Sequence, residues 1–341
     1  MSRRNILIII AFLIGIAIVA LSLYAVLAGQ FTRPRETTTE PERKRTEKLT
    51  CPLTGREVDI QRGRVPLAVV IDNVRQARPQ SGLNRADIVY EVLAEGGIPR
   101  FLAIYYCGGR SEQRIGPVRS ARTYFISIAE QFDAVLVHAG GSPQALTQIN
   151  EGKIRSLNQF KFPKAYFRDP ARRPPHNLFT NTSRLLNVAE EVDLRGPDTI
   201  KGPLFNAGEV SGSEAGTIRI SYPTTRVTYE YDLNAKEYLR SMNGVPHRDA
   251  VTGDRLRAKN VIIQFAEHRV IDRAGRLDID LVGEGRAIFF TGGRRMEGSW
   301  SRQSETEPFR YEDSTGNPFR LAAGQTWVEV IRKDTPVESG K

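Results

Sequence analysis

Cysteine and histidine are scarce in this sequence, and their scarcity excludes the common protein metal sites. The chain has two cysteines and four histidines among 341 residues; no C-x-x-C pair occurs, and the histidines are isolated from one another. A zinc site needs several such ligands at short spacing, so no metal and no cofactor are expected. Also missing are an internal repeat, a long lysine or arginine block, and the G-x-S-x-G motif of serine hydrolases.

Charge is missing from one long stretch that runs from Ile6 to Ala28, where Ser22 is the only clearly polar side chain. As a helix, this stretch is long enough to cross the hydrocarbon core of a bilayer. Arg3 and Arg4 precede it, which favours a cytoplasmic N-terminus and export of everything that follows. We therefore predict a signal anchor in the cell membrane, single-pass, with the bulk of the chain extracytoplasmic.

Two features of the same stretch leave alternatives open. The residues before Gly29 could form a signal-peptidase site after Ala28, although the apolar run is longer than in most cleaved signals. Arg33 and Arg35 follow the run closely and count against the predicted orientation. The anchored and the cleaved interpretations both place the later residues outside the membrane, away from cytosolic nucleotides and chromosomal DNA.

The net charge of +10 favours an acidic partner. Outside a cell, such partners include lipid headgroups, wall phosphate polymers, polyprenyl phosphates and acidic glycans. No nucleic acid is expected in that compartment. Because the basic residues look scattered along the chain, a role of the charge in solubility alone stays equally open.

Composition divides the chain into six segments and predicts an α+β fold. They are a transmembrane anchor at 1–28, a flexible linker at 29–50, an N-terminal α/β domain with a mixed sheet at 51–200, a linker at 201–215, a smaller mainly-β C-terminal domain at 216–332, and a frayed tail at 333–341. The second domain is expected to form a small twisted sheet or a partly open barrel. The oligomeric state is not predicted.

Periodicity predicts the main elements of the first domain. Continuous apolar runs favour buried strands, a glycine turn favours a hairpin, and a Ser-Pro pair favours a helix start. The predicted strands are 67–71, 88–94, 98–106 and 134–139, and the predicted helices are 117–132 and 144–149.

Nine short motifs carry a resemblance to a known family. They are PLTG at 52–55, IDN at 71–73, ARPQSGL at 77–83, ADIVYEVLAEGG at 86–97, RF at 100–101, IGPVRSAR at 115–122, VHAGGSP at 137–143, NGVPHRD at 243–249 and GQTWVEV at 324–330. The chain resembles the YerB-like lipoprotein family, bacterial two-domain proteins of unknown function. The resemblance implies an extracytoplasmic, membrane-tethered protein with an α/β domain and a smaller second domain, and it implies no established reaction.

The sequence departs from that family at its anchor. Many members carry a lipidated cysteine directly after a short apolar signal, whereas no cysteine follows the apolar run here. Cys51 lies far downstream, and Lys48 stands where a lipidation signal would have leucine. A helix is therefore expected in place of the lipid. Relatives in Gram-positive bacteria are connected with cell-wall synthesis, so a wall-synthesis protein is a possible partner.

The strongest candidate site is a cluster of arginines, Arg114, Arg119 and Arg122, at the start of the predicted helix 117–132. Arg119 and Arg122 are three residues apart and would share a helix face. Guanidinium groups beside a helix N-terminus suit a phosphate or a carboxylate. Ion pairs with acidic residues that merely hold the domain together are an equally open alternative.

A second candidate is the turn formed by His138, Ala139, Gly140, Gly141 and Ser142. A strand, a glycine pair and a helix N-terminus are a typical place for an anion to bind. The same pattern is also ordinary turn chemistry, with Ser142 as the helix cap. His138 could act as a general base, or it could be a hydrogen-bonded structural histidine.

Four carboxylates accompany these candidates: Asp72, Asp87, Glu91 and Glu95. The last three would share one face of a strand and could hold Mg²⁺ beside a phosphate. The simpler interpretation makes them counter-ions of the arginines on a solvated sheet face. We include Asp72 and Glu91 in the predicted ligand site. In an exported protein, Cys51 and Cys107 can also pair as a disulfide, and both states stay open.

Three function hypotheses follow. The first is a membrane-anchored binding module, without assigned enzymatic activity, for an anionic envelope ligand or a wall-synthesis partner. The second is an enzyme acting on lipid-linked glycans, suggested by a loose similarity to LytR-CpsA-Psr phosphotransferases. The third is a structural partner of a transpeptidase complex. No catalytic residue is assigned. The discriminating observation is whether Arg119, Arg122 and the 140–142 turn converge on one open pocket. Convergence together with Asp72 and Glu91 would favour the enzyme, and a buried, fully paired cluster would favour the structural partner.

Overall fold

The computed structural model describes residues 3–31, 47–60, 64–206 and 211–340, in two units, Met1–Arg45 and Thr46–Lys341. The described part of the first unit is one helix, α1 (Arg3–Phe31). By length and composition this helix could cross a membrane, and its described side chains are exposed. Most of the predicted linker 29–50 lies outside the described residues, and the end of it, Glu47–Thr50, is a strand.

The second unit contains three α-helices and all the strands described. The helices are α2 (Thr123–Glu130), α3 (Pro143–Asn150) and α4 (Thr182–Glu191). The strands in the first half are β1 (Glu47–Thr50), β2 (Glu57–Ile60), β3 (Leu67–Ile71), β4 (Ile88–Leu93), β5 (Pro99–Tyr105), β6 (Val135–His138), β7 (Ser156–Asn158), β8 (Phe167–Arg168), β9 (Leu178–Phe179) and β10 (Leu204–Asn206).

The strands in the second half are β11 (Ser213–Glu214), β12 (Thr217–Ser221), β13 (Arg226–Asp232), β14 (Glu237–Met242), β15 (Val245–Pro246), β16 (Arg257–Ala258), β17 (Asn260–Ala266), β18 (His268–Val270), β19 (Leu277–Ile279), β20 (Gly283–Thr291), β21 (Arg294–Arg302), β22 (Arg310–Asp313), β23 (Arg320–Ala322), β24 (Thr326–Arg332) and β25 (Val337–Gly340).

One mixed sheet of 11 strands organises the second unit, in the order β11-β21-β20-β17-β24-β4-β5-β3-β6-β7, with β22 beside β21. Strands from both predicted domains belong to it, and they meet where β24 pairs in parallel with β4, Thr326 opposite Ile88. A second sheet of six strands has the order β15-β14-β13-β12-β25, with β16 beside β14. The predicted α+β class with a mixed sheet is confirmed.

Only part of the C-terminal half forms a small sheet of its own, the six-stranded one, while the remaining long strands join the large sheet. Its apolar strands β17 and β24 are buried along almost their whole length, so they need cover on both faces and join the N-terminal strands. The predicted tail is wrong as well, because β25 pairs with β12. The predicted linker 201–215 contains two short strands: β10 pairs with β23, and β11 pairs with β21. The domain boundaries themselves stay a prediction.

The core lies on both faces of the large sheet, as β3 illustrates. Val69 and Ile71 point into a cluster that includes the six-stranded sheet and α4, while Ala68 and Val70 point into a cluster that includes α2. Successive side chains of a strand alternate between faces, so a strand covered on both sides must be apolar throughout. The predicted strands 67–71, 88–94, 98–106 and 134–139 are confirmed as β3 to β6.

The predicted helix 117–132 is wrong in its first half, because helix α2 begins only at Thr123. The preceding residues are held extended by hydrogen bonds to neighbouring segments: Pro117 accepts from the Asp72 N–H, and Arg119 donates its N–H to Val70 O, both at 2.9 Å. Tertiary pairing has overridden the helical periodicity. Arg119 and Arg122 therefore do not share a helix face. The second predicted helix, 144–149, is confirmed as α3.

Candidate functional site

The candidate residues gather at one edge of the large sheet. Strand β6 runs parallel to β3, and both β3 and β4 are antiparallel to β5, so β3, β4 and β6 have their carboxyl ends at the same edge. Asp72 follows β3, Glu95 follows β4, and His138 ends β6. In open α/β sheets this edge is the usual place of ligand binding.

Asp72 is the buried centre of one half of this edge. Its side chain has no solvent exposure, and its Oδ2 lies 3.1 Å from Arg119 Nε and 2.7 Å from His176 Nδ1. Its Oδ1 accepts the Val74 N–H at 3.2 Å. Sequence reasoning missed His176, because it lies 104 residues from Asp72 and no spacing links the two.

Arg122 and Arg100 form the other half, around Glu95. Arg122 Nε donates to Glu95 Oε1, and Arg100 Nη2 lies 3.4 Å from Glu95 Oε2. Burial and the neighbouring Arg122 lower the pKa of Arg100. Burial opposes ionisation of Glu95, but the hydrogen bond from Arg122 and the charge of Arg100 lower its pKa. Two guanidinium groups thus share one carboxylate. The RF motif at 100–101 was the signal that could have identified Arg100.

Three buried polar atoms at this half have no hydrogen-bond partner among the described residues: Tyr124 Oη, Arg100 Nη1 and Glu95 Oε2. The Tyr124 side chain is only 2% exposed, and it interacts electrostatically with Arg100, Glu95 and Arg122. An unpaired buried polar group costs about 1–3 kcal/mol. Three such atoms in one place are therefore expected where a further polar group binds. We call Arg100, Arg119, Arg122 and Tyr124, with Asp72 and Glu95, the arginine site.

The turn at 138–142 positions this site through its backbone. Ala139 N–H donates to Arg119 O at 3.0 Å, and Ser142 N–H donates to Ala121 O at 3.1 Å. Gly140 N–H is used too, by Asn158 Oδ1 at 3.3 Å. Ser142 caps α3 by accepting the Ala145 N–H. The backbone N–H groups of Gly140 and Ser142 are therefore already hydrogen-bonded within the protein. This weakens the prediction that the turn itself binds an anion.

His138 is completely buried, and its Nδ1 lies 2.7 Å from Gly140 O. Burial lowers the pKa of His138, which disfavours the charged imidazolium. The side chain is held by the same turn that it follows. This geometry fits the structural interpretation of His138 better than a general base.

Arg114 has a different carboxylate partner from Arg119 and from Arg122, so the structure gives no contact that joins the predicted cluster of three. It forms an ion pair with Asp169 at 2.8 Å, donates to Ser81 Oγ at 3.0 Å, and rests over the Phe179 ring. The predicted helix placed the three arginines together, and the extended conformation of its first half removes that grouping.

Glu91 is not on a solvated face, because its side chain is completely buried. It accepts hydrogen bonds from Arg240 Nη2 at 2.5 Å and from Asn73 Nδ2 at 3.0 Å. Burial raises the pKa of Glu91 well above its ordinary value. Both oxygens of this carboxyl group are already paired inside the protein, so Glu91 leaves the predicted ligand site.

Arg240 centres a buried network that joins both halves of the chain. It donates to Tyr229 Oη and to His247 Nδ1, both at 3.1 Å, and it lies over the Trp327 ring. Tyr222 and Tyr229 in turn donate to Glu329, at 2.6 and 2.5 Å. Burial and the charge of Arg240 lower the pKa of His247. This cluster, which we call the Arg240 network, links β4 of the first half to β13, β14 and β24 of the second.

The four carboxylates are thus separated by their partners. Among the described residues, one group of potential metal ligands comes within 4.8 Å of one another: Cys51, Asp87 and Cys107. The two cysteines of that group are joined in a disulfide. No described group therefore brings Asp72, Glu91 and Glu95 together as a Mg²⁺ site.

Asp87 makes stability depend on pH. It is buried beside the disulfide and accepts the N–H groups of Tyr106 and Cys107 at 2.6 and 2.9 Å. Burial raises the pKa of Asp87 from 3.8 to about 6. The folded state therefore holds a proton that the unfolded state loses first. The stabilisation is complete below the unfolded pKa and is lost as pH rises through the folded pKa.

We expect the wild type to lose about 2.4 kcal/mol of free energy of unfolding relative to Asp87→Asn as the pH rises from about 4 to about 7. Chemical denaturation of both proteins across this range measures the difference. Asp254→Asn, at an exposed carboxylate, is the control and should show no such trend. A constant difference between wild type and Asp87→Asn would contradict the prediction.

Comparison with known proteins gives the chain a family. Residues 53–195 match the N-terminal domain, and residues 218–328 the C-terminal domain, of "Protein of unknown function (DUF3048)". The "Putative lipoprotein YerB" of Bacillus subtilis (strain 168) is 37% identical over 292 residues, 84% of this chain and 87% of that protein. The crystal structure of Bacillus subtilis YerB protein matches with a TM-score of 0.78 and 35% identity, covering 86% of this chain and 100% of that one.

The chain belongs to this two-domain family of unknown function, and the resemblance found in its motifs is confirmed. The relation to a protein named as a lipoprotein, together with the apolar helix α1, indicates membrane anchoring. The family descriptions give no reaction and no ligand, so function has to be argued from the site.

Proposed function

We propose that the protein is a membrane-anchored, extracytoplasmic binding module that recognises an anionic ligand at the arginine site. Helix α1 remains attached as a single-pass anchor in this proposal, and the second unit faces the cell envelope. The observation that carries the proposal is the pair of buried donors without a hydrogen-bond partner among the described residues, Arg100 Nη1 and Tyr124 Oη, beside two arginines that share one glutamate.

The chemistry of the site fits a phosphate or a carboxylate. Arg100 offers a free Nη1 and Tyr124 a free hydroxyl, and both are donors. Arg119 is held by Asp72 and remains 24% exposed. Charge-assisted hydrogen bonds from guanidinium groups are among the stronger polar contacts in proteins. A wall-synthesis protein that presents such a group is a partner compatible with the same site.

The test uses the full-length protein in uncharged detergent, with inorganic phosphate as the probe in titration calorimetry. Tyr124→Phe removes the unpartnered hydroxyl without changing the packing. We expect about tenfold weaker phosphate binding and a free energy of unfolding that is about 1 kcal/mol higher. Arg100→Gln should weaken binding about thirtyfold.

Tyr105→Phe is the matched control, because Tyr105 is also buried but donates to Gly82 O at 3.0 Å. This variant should lose stability and keep its affinity for phosphate. If Tyr124→Phe changes neither stability nor binding, or if phosphate does not bind the wild type, the proposed site is wrong.

A second candidate function is a phosphotransferase-like enzyme, and the pair of Asp72 and His176 favours it. A buried carboxylate at hydrogen-bond distance from Nδ1 orients an imidazole to accept a proton at its other nitrogen. Release of nitrophenol from a nitrophenyl phosphodiester by the wild type, lost in His176→Gln, would move the assignment to an enzyme. If the wild type releases no nitrophenol, the contact between His176 and Asp72 has a structural role only, and it holds the loop that carries His176 against the arginine site.

A further inference from the structure

Half of the net charge of the chain is concentrated next to the arginine site. Residues 159–189 contain six basic residues and one acidic residue, a net charge of +5 out of +10. The acidic residue, Asp169, is paired with Arg114. The six basic residues, which we call the basic row, are Lys161, Lys164, Arg168, Arg172, Arg173 and Arg184.

In the described part of the chain, no member of the basic row forms an ion pair within 4.0 Å with a carboxylate, although Asp169 attracts Arg172 at longer range, whereas many other arginines do form such pairs. Five of the six are exposed, and Arg172 is half-buried. An unpaired row of cations on one segment costs free energy through repulsion. A row of this kind is therefore expected where a partner supplies the negative charge.

Aromatic rings fix part of the row in place. The rings of Phe167 and Phe179 stack at 6.2 Å, with Arg184 over the first at 5.3 Å and Arg172 over the second at 5.4 Å. Lys161 lies over the Phe162 ring at 5.5 Å. Cations held on rings lose less freedom when they bind a ligand, so the row is partly pre-organised.

The row ends at the arginine site. Arg172 donates to Ala77 O at 2.9 Å and to Pro79 O at 2.6 Å, on either side of Arg78. The same loop then brings His176 onto Asp72. Asp72 also pairs with Arg119, so the loop that carries Arg172 and Arg173 reaches the arginine site through His176.

We propose that the ligand of the arginine site is a linear polyanion. One of its phosphate or carboxylate groups binds at Arg100 and Tyr124, and the following groups extend along the basic row. The inference rests on the proposed function and names the class of its ligand. A lipid surface fits less well, because Phe160 is the only large apolar side chain exposed between residues 159 and 189, and interfacial binding uses an apolar face.

The experiment compares anions of increasing length on the full-length protein in uncharged detergent. The probes are inorganic phosphate, short and long polyphosphate, polygalacturonate, and neutral dextran as the blank. We expect long polyphosphate to bind at least about a hundredfold more tightly than phosphate, with a steeper dependence on salt. Comparison with polygalacturonate shows whether phosphate or carboxylate polymers are preferred.

The decisive variant is Lys161→Gln/Lys164→Gln/Arg173→Gln, at three exposed side chains without hydrogen-bond partners in the described residues. It should weaken long-polyphosphate binding at least about tenfold and change phosphate binding less than about twofold. The control, Arg226→Gln/Arg273→Gln/Arg310→Gln, removes the same charge at exposed positions elsewhere and should change neither affinity.

Three outcomes would overturn the inference: equal affinity for phosphate and polymer, equal losses in the two triple variants, or binding to phosphatidylglycerol vesicles in place of polymers. Failure of phosphate itself to bind contradicts the proposed function instead. The length series and the phosphate titration thus separate the two claims.

Discussion

Replacement of Arg240 by methionine is expected to lower the free energy of unfolding by about 3–5 kcal/mol. Arg240 is completely buried, with Glu91 at 2.5 Å and Glu329 at 3.7 Å. Removing the cation leaves two buried carboxyl groups, on neighbouring strands and opposite each other in register, without their counter-charge. Methionine fills similar volume against Trp327, so the loss measures charge and hydrogen bonds rather than a cavity.

Two controls make this result specific. Adding Glu91→Gln and Glu329→Gln to Arg240→Met removes the unpaired charges and should restore at least about half of the lost stability. Arg110→Met, at an exposed ion pair with Glu190, should cost less than about 1 kcal/mol. Chemical denaturation of the four proteins measures each value. A loss below about 1 kcal/mol in Arg240→Met would show that the network is dispensable.

Loss of the disulfide is expected to cost about 4 kcal/mol, because Cys51 and Cys107 close a loop of 56 residues. The bond ties the segment before β2 to the end of β5, where both cysteines are buried. Cys51→Ala/Cys107→Ala removes the bond without placing a hydroxyl in the core. The reduced wild type should show a similar loss.

Thiol titration in denaturant without reductant provides the direct check, with no free thiol expected. Cys51→Ala alone should lose about as much stability as the double variant, since one substitution already opens the loop. Two reactive thiols in the unfolded, non-reduced wild type would contradict the disulfide and remove the reason for the predicted loss.

Local patterns predicted most of the N-terminal strands, because a strand buried on both faces must be apolar throughout, as in Leu67–Ile71. The same reasoning failed at 117–122. There, the apolar spacing is helical, but hydrogen bonds to Val70 and Gly140 hold the backbone extended. Hydrogen bonds between segments that are distant in sequence cannot be predicted from the residues of a short window.

Only part of the candidate site could be predicted from the sequence, because local patterns locate the ends of strands but not contacts between distant segments. Asp72, Glu95 and the 138–142 turn stand at the carboxyl ends of β3, β4 and β6. Because these three strands run in the same direction, their carboxyl ends lie at one edge of the sheet. His176, Tyr124 and the density of charge in 159–189 were missed, since none of them has a motif and the basic residues looked scattered. The inclusion of Arg114 stays a prediction, and its helical grouping with Arg119 and Arg122 is lost because α2 begins only at Thr123.

The position of β24 has a consequence for how this chain is made. Strand β24 lies between β17 and β4, and its partner Ile88 is synthesised 238 residues before Thr326. A ribosome therefore completes the first half of the protein long before the centre of its sheet can close. During that interval, β4 has an open apolar edge, which is the kind of surface that chaperones cover and that aggregates grow from. The two halves can reach their final form only together, after almost the whole chain has emerged.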